Sequence, residues 1–118
     1  MPERDPDCLF CKIAAGEIPC KTITETETAL AFHDINPQAP SHALILPKTH
    51  IASNNDITED NAAILQEIFL MAKRVAADLG VGESGYRLVF NCGPDASQSV
   101  PHLHLHLIGG RPMSWPPG

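Results

Sequence analysis

The feature that most constrains this chain is a strict alternation of histidine and leucine near its C-terminal end, His102-Leu103-His104-Leu105-His106-Leu107-Ile108. Because successive side chains of a β-strand point to opposite faces, a strand here places three imidazoles on one face and three leucines on the other. The leucine face can enter a core, whereas the histidine face must meet water, a ligand, a metal or another chain. Strand residues that face solvent are more often lysine, glutamate or threonine, so the alternation indicates nucleophilic, proton-transfer or metal chemistry.

The composition is that of one small globular domain, and it excludes several classes of partner. A chain of 118 residues is long enough to bury a single core. The net charge of −6 and the scattered basic residues argue against a nucleic-acid backbone as partner, since phosphate binding there needs clustered lysine and arginine. No apolar run approaches the roughly 20 residues of a membrane span, and the first residues do not resemble a signal peptide. We therefore expect an intracellular, cytoplasmic protein without nucleic-acid or membrane partners.

Periodicity and turn residues predict an α+β domain with a mainly antiparallel sheet. Residues 1–7 are charged and proline-bearing, so we expect them to be disordered and the domain to occupy residues 8–118. One long helix is predicted from Thr58, a suitable N-cap, to Leu79, because apolar residues recur there at three- and four-residue steps and Gly80 can end the helix. A short helix over 8–15 is also predicted, with strands over 21–25, 29–33, 41–46, 86–91 and 102–108.

Four cysteines are present, and two of them form a Cys8-x-x-Cys11 pair. The pair alone leaves a zinc site, a redox motif and two core cysteines as readings. A redox motif normally lies at a helix N-terminus in a βαβ setting, which is absent here. The other two, Cys20 and Cys92, are predicted to be small buried apolar residues.

The sequence resembles the histidine triad (HIT) superfamily, and within it the HINT branch of histidine triad nucleotide-binding proteins. His-x-His-x-His followed by apolar residues resembles the superfamily signature, and the similarity runs from about Cys8 to the C-terminus. The segments that resemble the HINT branch are AFHDINPQAPSH at 31–42, QSV at 98–100, GGR at 109–111 and WPPG at 115–118. The resemblance implies a HIT-like fold, a mainly antiparallel five-stranded sheet with one long and one short helix, and a sheet extended across a homodimer.

The resemblance also implies a purine nucleoside phosphoramidase. Such an enzyme hydrolyses adenosine or guanosine 5′-monophosphoramidates to the nucleoside monophosphate and an amine, through a covalent nucleotidyl-histidine and without a catalytic cofactor. By position, His104 resembles the nucleophile, His106 the phosphate-binding partner, and His42 a fourth histidine that hydrogen-bonds within the site. Asn91 and Ser99 match positions that contact the phosphate and the leaving group.

Further positions match the nucleoside-binding part of the family site. Asp34 resembles the carboxylate that binds the ribose hydroxyls, and Trp115 lies on a tail that reaches the partner protomer's site in HINT relatives. The apolar slot for a purine is matched, with His33 at its rim, by Phe10, Ile13, Phe32, Ile35 and Leu44.

The loop of residues 93–99, which includes Ser97 and Gln98, contains Gly, Pro and Ser and can offer backbone N–H groups to phosphate oxygens. It contains no lysine or arginine, which fits a small phosphate ester better than a triphosphate. Two residues depart from the family pattern. Ser97 stands where many relatives have glycine, and Pro101 stands where an aromatic residue is common.

HIT proteins that carry the Cys-x-x-Cys pair often complete a zinc site with two histidines, which here are His50 and His102. The resemblance thus implies a structural zinc bound by Cys8, Cys11, His50 and His102. Two alternatives to the phosphoramidase stay open. One is a non-catalytic nucleotide-binding or scaffold protein, and the other is a metalloenzyme in which the alternating histidines ligate a catalytic metal.

Overall fold

In the computed structural model, which describes residues 4–118, five antiparallel strands form one sheet with a helix on each face. The elements in chain order are α1 (Leu9–Ala14), β1 (Thr22–Glu25), β2 (Ala29–His33), β3 (Ser41–Pro47), a 3-10 turn (Asn54–Asp56), α2 (Ala63–Asp78), β4 (Tyr86–Phe90) and β5 (Leu105–Gly109). The strand order is β1-β2-β3-β5-β4. The predicted α+β class is confirmed, with a five-stranded antiparallel sheet, one long helix and one short helix.

Alternate residues of the central strands enter two different cores. In β2 and β3, Ala29, Ala31, Ala43 and Ile45 pack beneath α2, whereas their neighbours on the other face of the sheet pack with α1: Leu30, Phe32, Leu44 and Leu46. The three leucines of the histidine–leucine alternation are buried in the α2 core. The predicted alternation is therefore confirmed, and the imidazoles lie on the α1 side of the sheet.

The paired part of the last strand is shorter than predicted. The prediction ran from His102 to Ile108, but β5 begins at Leu105. The preceding residues do not join the sheet, because the Leu103 N–H donates instead to the carbonyl of Ile51 at 2.6 Å. His102 and His104 therefore lie just before the strand, held by side-chain and loop contacts.

The long helix begins at Ala63, so the prediction of a start at Thr58 was wrong. Asn61 closes a separate turn in front of the helix: its Oδ1 accepts the Thr58 N–H at 2.7 Å, and its Nδ2 donates to the Asp56 carbonyl at 3.1 Å. The predicted apolar face and the predicted end are present. Gly80 follows the last turn with φ +76°, a conformation that glycine adopts without strain.

The N-terminal residues make local contacts, as far as the structure describes them. Residues 1–3 lie outside the described part, so predicted disorder over 1–7 stays a prediction. Arg4 forms an ion pair with Glu17, and the Asp5 carbonyl accepts the Cys8 N–H.

Cys20 and Cys92 are only partly buried, which corrects the expectation that both are core residues.

In the part of the chain that the structure describes, no helix is long and apolar enough to cross a membrane.

Candidate functional site

Three predicted catalytic histidines meet on the α1 face of the sheet. His42 lies in β3 and His106 in β5. Because Leu44 pairs with His106 and His42 pairs with Ile108, the two histidines are diagonal neighbours on one face. Their ring centroids are 5.2 Å apart, and the centroids of His104 and His106 are 5.0 Å apart. Strand pairing thus assembles residues that are 64 positions apart in sequence.

His104 presents an unprotonated Nε2 to the site. Its Nδ1 lies 2.7 Å from the main-chain oxygen of His102, and a carbonyl can only accept, so Nδ1 carries the proton. Burial lowers the pKa of His104 and favours the neutral ring. The ring of Phe10 packs against it nearly at right angles, with centroids 4.9 Å apart. The result is a neutral, restrained imidazole with a free electron pair.

His106 has the opposite arrangement and presents an N–H. The main-chain N–H of Gln38 donates to His42 Nδ1 at 3.0 Å, so the His42 proton lies on Nε2. His42 Nε2 is 2.9 Å from His106 Nδ1, which must then be the acceptor and leaves the His106 proton on Nε2. Burial, followed by the neighbouring His104 and His42, lowers the pKa of His106 to about 4. His106 is therefore a neutral hydrogen-bond donor.

A cavity of about 750 Å³ lies beside His42, a volume typical of small-molecule sites. Asp34 lies at its edge. The Oδ1 atom of this carboxylate accepts the Asn36 N–H at 2.8 Å, and Oδ2 lies 3.4 Å from His42 Nε2. Ile35 is 98% exposed, an unusual state for isoleucine, and it leaves apolar surface at the cavity. The lining residues are Pro19, Cys20, Lys21, His33, Asp34, Ile35, Pro37, Pro40 and His42.

The sequence analysis did not predict Cys20 and Lys21 in this lining. It also predicted four apolar residues in the purine slot that lie deeper in the protein, in or against the α1 core. Cys20 and Lys21 reach the cavity because the Lys21 carbonyl accepts the His33 N–H, a strand-pairing effect with no residue-type signature. Of the predicted apolar slot, Ile35 lines the cavity. The others lie in or against the α1 core beneath it: Phe10, Ile13, Phe32 and Leu44.

The loop of residues 93–99 is closed by one of its own side chains. Gln98 Nε2 donates to the carbonyls of Ala52 at 2.8 Å and Val100 at 3.0 Å, and its Oε1 accepts the Gly93 N–H at 3.0 Å. The side chain predicted to bind substrate therefore has its polar atoms engaged within the protein, and it shapes the loop instead. Ser99 is exposed, and Asn91 is partly buried where β4 leads into the loop.

Ser97 occupies a backbone conformation that favours glycine. Its φ is +62°, and it is the one non-glycine residue with positive φ among those described. A side chain at such a position is strained, whereas glycine is not. The departure from the family pattern is thus a matter of backbone conformation.

A second cluster lies next to the first on the same face. Each of its four members offers one ligand atom, and these atoms lie within 4.8 Å of one another: Cys8, Cys11, His50 and His102. Cys8 Sγ is 3.3 Å from His102 Nδ1, and Cys11 Sγ is 3.4 Å from His50 Nδ1. Sulfur and nitrogen ligands of one tetrahedral zinc are about 3.5 Å apart, so the geometry fits that ion.

The protonation of the cluster also suits a metal. His102 Nε2 lies 2.7 Å from the Pro47 carbonyl and must donate to it, which leaves the Nδ1 electron pair facing the sulfurs. Main-chain N–H groups of Cys11 and Asp5 donate to the sulfurs of Cys8 and Cys11. Burial raises the pKa of the Cys11 thiol, a tendency that a bound cation reverses.

Comparisons with known proteins agree with this geometry. The family model of the HIT domain matches residues 15–113. The crystal structure of a HIT family hydrolase from Legionella pneumophila Philadelphia 1 has 54% sequence identity and a TM-score of 0.93, covering 95% of this chain and 100% of that one. The HIT-like protein slr1234 of Synechocystis is 49% identical over 112 residues, 95% of this chain and 97% of that protein. A 14 kDa zinc-binding protein of Zea mays is 47% identical over 116 residues, 97% and 90% of the two chains.

The antiparallel sheet and the histidines gathered on one face define an α+β protein of the histidine triad class. The chain belongs to the HIT domain family. Its similarity in fold and sequence to HIT family hydrolases supports a hydrolase.

Proposed function

We propose that this protein is a purine nucleoside phosphoramidase of the HINT branch. The observation that carries the proposal is the arrangement of ring protons, in which His104 presents an electron pair beside the N–H of His106. Attack on phosphorus requires a nucleophile, and a neighbouring donor stabilises the charge that develops on the phosphate oxygens. The hydrolase relative from Legionella supports the reaction class.

The reaction proceeds in two displacements at the α-phosphorus of a nucleoside 5′-monophosphoramidate. His104 Nε2 forms a bond to phosphorus as the P–N bond breaks, and the nitrogen of the leaving amine takes up a proton from solvent. The ring gains positive charge in this step, and the His102 carbonyl stabilises it through the Nδ1–H. Water then attacks phosphorus and breaks the P–Nε2 bond, and it loses a proton to solvent. This step releases the nucleoside monophosphate and restores the neutral histidine. Ser99 is assigned to contact the leaving amine.

The nucleoside is assigned to the cavity beside the histidines. The Asp34 carboxylate lies at its edge and can accept hydrogen bonds from two ribose hydroxyls. The exposed Ile35 and the prolines of the lining offer apolar surface to a purine. Because the phosphate loop at 93–99 contains no lysine or arginine, a monophosphate ester fits this site better than a triphosphate.

One observation favours a metalloenzyme, but the tautomers oppose it. Ligand atoms of Asp34, His42 and His106 lie within 4.8 Å of one another, a set that resembles a metal site. A metal at His42 would need an unprotonated Nε2, and the proton would then move to Nδ1, where the Gln38 N–H already donates. Two donors would face each other, so the site suits hydrogen bonding better than metal ligation.

A structural zinc is assigned to Cys8, Cys11, His50 and His102. The distances and the unprotonated His102 Nδ1 support it, as does the similarity to the zinc-binding protein of Zea mays. Bound there, zinc would supply a cross-link between α1 and the segments that carry His50 and His102. These four residues then serve the fold, and His102 takes no direct part in the reaction.

A twofold homodimer is assigned to the free edge of β4. This strand ends the sheet, and Leu88 on it is 36% exposed. On the adjoining helix Phe69 is 46% exposed, and its ring lies 6.0 Å from that of Phe90. Pairing two β4 edges would cover this apolar surface and remove an open sheet edge. Trp115, which is 81% exposed on the tail, would then reach the partner's site.

Turnover of adenosine 5′-phosphoramidate carrying a fluorescent amine tests the function. The wild type should release the amine, and His104→Ala should lose several orders of magnitude in kcat while still binding AMP. Gln66→Ala, an exposed position on α2, is the control and should behave as wild type. A His104→Ala variant that keeps a tenth of the wild-type kcat would contradict the covalent mechanism. A wild type that binds AMP but releases no amine would favour the non-catalytic nucleotide-binding reading.

A further inference from the structure

We propose that Arg111 is a positioning residue for the catalytic histidines. It holds Gln38, whose main-chain N–H sets the tautomer of His42 and, through His42, the tautomer of His106. This inference rests on the proposed function for its effect on catalysis, but not for its effect on the histidine rings.

The contact itself joins the chain after β5 to the loop before β3. The Arg111 guanidinium donates to the Gln38 carbonyl from Nη2 at 3.0 Å and from Nε at 3.3 Å, and its Nη1 donates to the Pro112 carbonyl at 3.3 Å. Two N–H groups directed at one oxygen fix the plane of the guanidinium and the position of its acceptor. The two residues are 73 positions apart in sequence, so the contact is a tertiary restraint.

The loop has few other restraints from outside. Its remaining hydrogen bonds are local: the Asn36 N–H donates to Asp34 Oδ1, Gln38 Nε2 donates to the Asn36 carbonyl, and the Gln38 N–H donates to His42 Nδ1. Among the described residues, Arg111 is the one side chain from outside residues 34–42 that hydrogen-bonds to residues 36–40. It therefore connects the loop to the strand that carries His106.

Close packing beside Arg111 supports the same connection independently. Gly110 has φ +92°, and a Cβ built on it would lie 3.0 Å from the Cβ of Pro40. The chain leaving β5 thus passes directly against the loop, with no room for a side chain at residue 110. This approach places the Arg111 side chain across the loop at Gln38.

The consequence for the site follows from the hydrogen-bond directions. If Gln38 moves away, His42 Nδ1 loses its donor, and Asp34 Oδ2, which lies 3.4 Å from His42 Nε2, still favours a proton on Nε2, so the ring takes the other tautomer for part of the time. His42 Nε2 would then face His106 Nδ1 with an electron pair instead of a proton. To keep a hydrogen bond, His106 would have to place its own proton on Nδ1, and its Nε2 would lose the N–H that faces the phosphate.

A matched control is available because another arginine makes a similar contact without reaching the loop. Arg87 Nη2 donates to the Ser114 carbonyl at 3.0 Å, and both arginines line the same small cavity beside the tail. Both guanidinium groups thus bind a main-chain carbonyl. If arginine at this surface served only the tail, Arg87→Ala and Arg111→Ala would have similar effects.

The experiment measures ring nitrogen shifts of the six histidines by two-bond 1H–15N NMR, together with phosphoramidate turnover. In wild type and in Arg87→Ala, His42 should show a protonated Nε2 and an unprotonated Nδ1. In Arg111→Ala the His42 shifts should move toward a mixture of tautomers, and kcat should fall about tenfold with KM changed less than about twofold. Arg111→Lys, which retains one donor, should restore part of both.

Unchanged His42 ring shifts in Arg111→Ala would overturn the inference, whatever happens to turnover. Equal changes in Arg87→Ala would also overturn it, since the effect would then belong to the tail in general. If the wild type proves inactive on phosphoramidates, the proposed function fails, while the NMR comparison still decides the role of Arg111.

Discussion

At the scale of single residues, main-chain groups determine where the ring protons of the histidines lie. The His102 carbonyl accepts a hydrogen bond from His104 Nδ1 and the Pro47 carbonyl accepts one from His102 Nε2, so each of these ring nitrogens carries the proton. The Gln38 N–H donates to His42 Nδ1, which is therefore unprotonated. Because a peptide group cannot exchange its donor and acceptor roles, these assignments hold as long as the backbone holds its position. The chemistry of the site is therefore built into the fold around it.

Asp34→Asn tests the assignment of ribose recognition. A carboxylate accepts each ribose hydroxyl in a charge-assisted hydrogen bond worth about 1.5–3 kcal/mol, so the variant should bind AMP more weakly and discriminate less against 2′-deoxy-AMP. Asparagine retains an Oδ1 for the Asn36 N–H, so the turn should survive. Calorimetric Kd values for both nucleotides check this, with the exposed Asp78→Asn as control. An unchanged ratio of the two Kd values would remove Asp34 from the ribose site.

The sequence allowed the prediction of residues whose side chains have a distinctive chemistry. His42, His104 and His106 meet as predicted, and so do the four residues of the cysteine–histidine cluster. The roles of Gln38 and Pro47 could not be predicted from the sequence, because these residues act through main-chain groups that nearly every position possesses. Residues of this kind become visible only when the tertiary structure places a peptide group beside a ring.

At the scale of elements, the loop of residues 93–99 contains Ser97 in a backbone conformation that favours glycine. Ser97→Gly should stabilise the protein by about 1 kcal/mol, because the φ of +62° strains a residue with a Cβ, and the greater freedom of glycine in the unfolded chain offsets part of the gain. Urea denaturation measures the difference. The neighbouring Ala96→Gly has no strain to relieve and should destabilise. If both variants shift stability in the same direction, strain at Ser97 is not the cause.

Most elements could be predicted from periodicity and turn residues, while their boundaries depended on individual contacts. The apolar repeat predicted the buried face of α2. The helix begins at Ala63 and not at Thr58, because the Asn61 side chain bonds to the Thr58 N–H and forms a separate turn before the helix. The histidine–leucine alternation gave the two faces of the last strand, but the bond from Leu103 to Ile51 kept its first residues out of the sheet. The bond from Leu103 to Ile51 joins distant parts of the chain, so local sequence does not encode it. The bonds of Asn61 are local, and they compete with the helix because asparagine side chains readily bond to nearby main-chain groups.

At the scale of the whole molecule, metal removal should separate stability from activity. The zinc assigned to Cys8, Cys11, His50 and His102 would join three segments, so a strong chelator should lower the Tm. A Cys8→Ser, Cys11→Ser variant should start with a lower Tm and show no further change. Activity of the still-folded protein should survive chelation. Rapid loss of activity, reversed by added metal without unfolding, would favour a catalytic metal instead.

The assembly can be tested through the apolar surface of β4 and α2. Phe69→Lys should shift the protein from dimer to monomer in light scattering at micromolar concentration, because a charge would be buried in the proposed interface. Leu70→Lys is the matched control, since Leu70 is also exposed but lines a groove toward the β1–β2 turn. A monomeric wild type would contradict the proposed dimer. An equal shift toward monomer in both variants would mean that the interface does not lie on the Phe69 face of α2.

His102 belongs to both clusters, but through different parts of the residue. Its imidazole faces the cysteines, whereas its carbonyl accepts the Nδ1–H of His104, the proposed nucleophile. Every amino acid has a carbonyl, so an evolving sequence could lose the proposed metal ligands, including the ring at position 102, and still keep the Nδ1–H tautomer of His104. The two sites are therefore free to follow separate histories, one being lost or regained in a lineage while the other is maintained by selection.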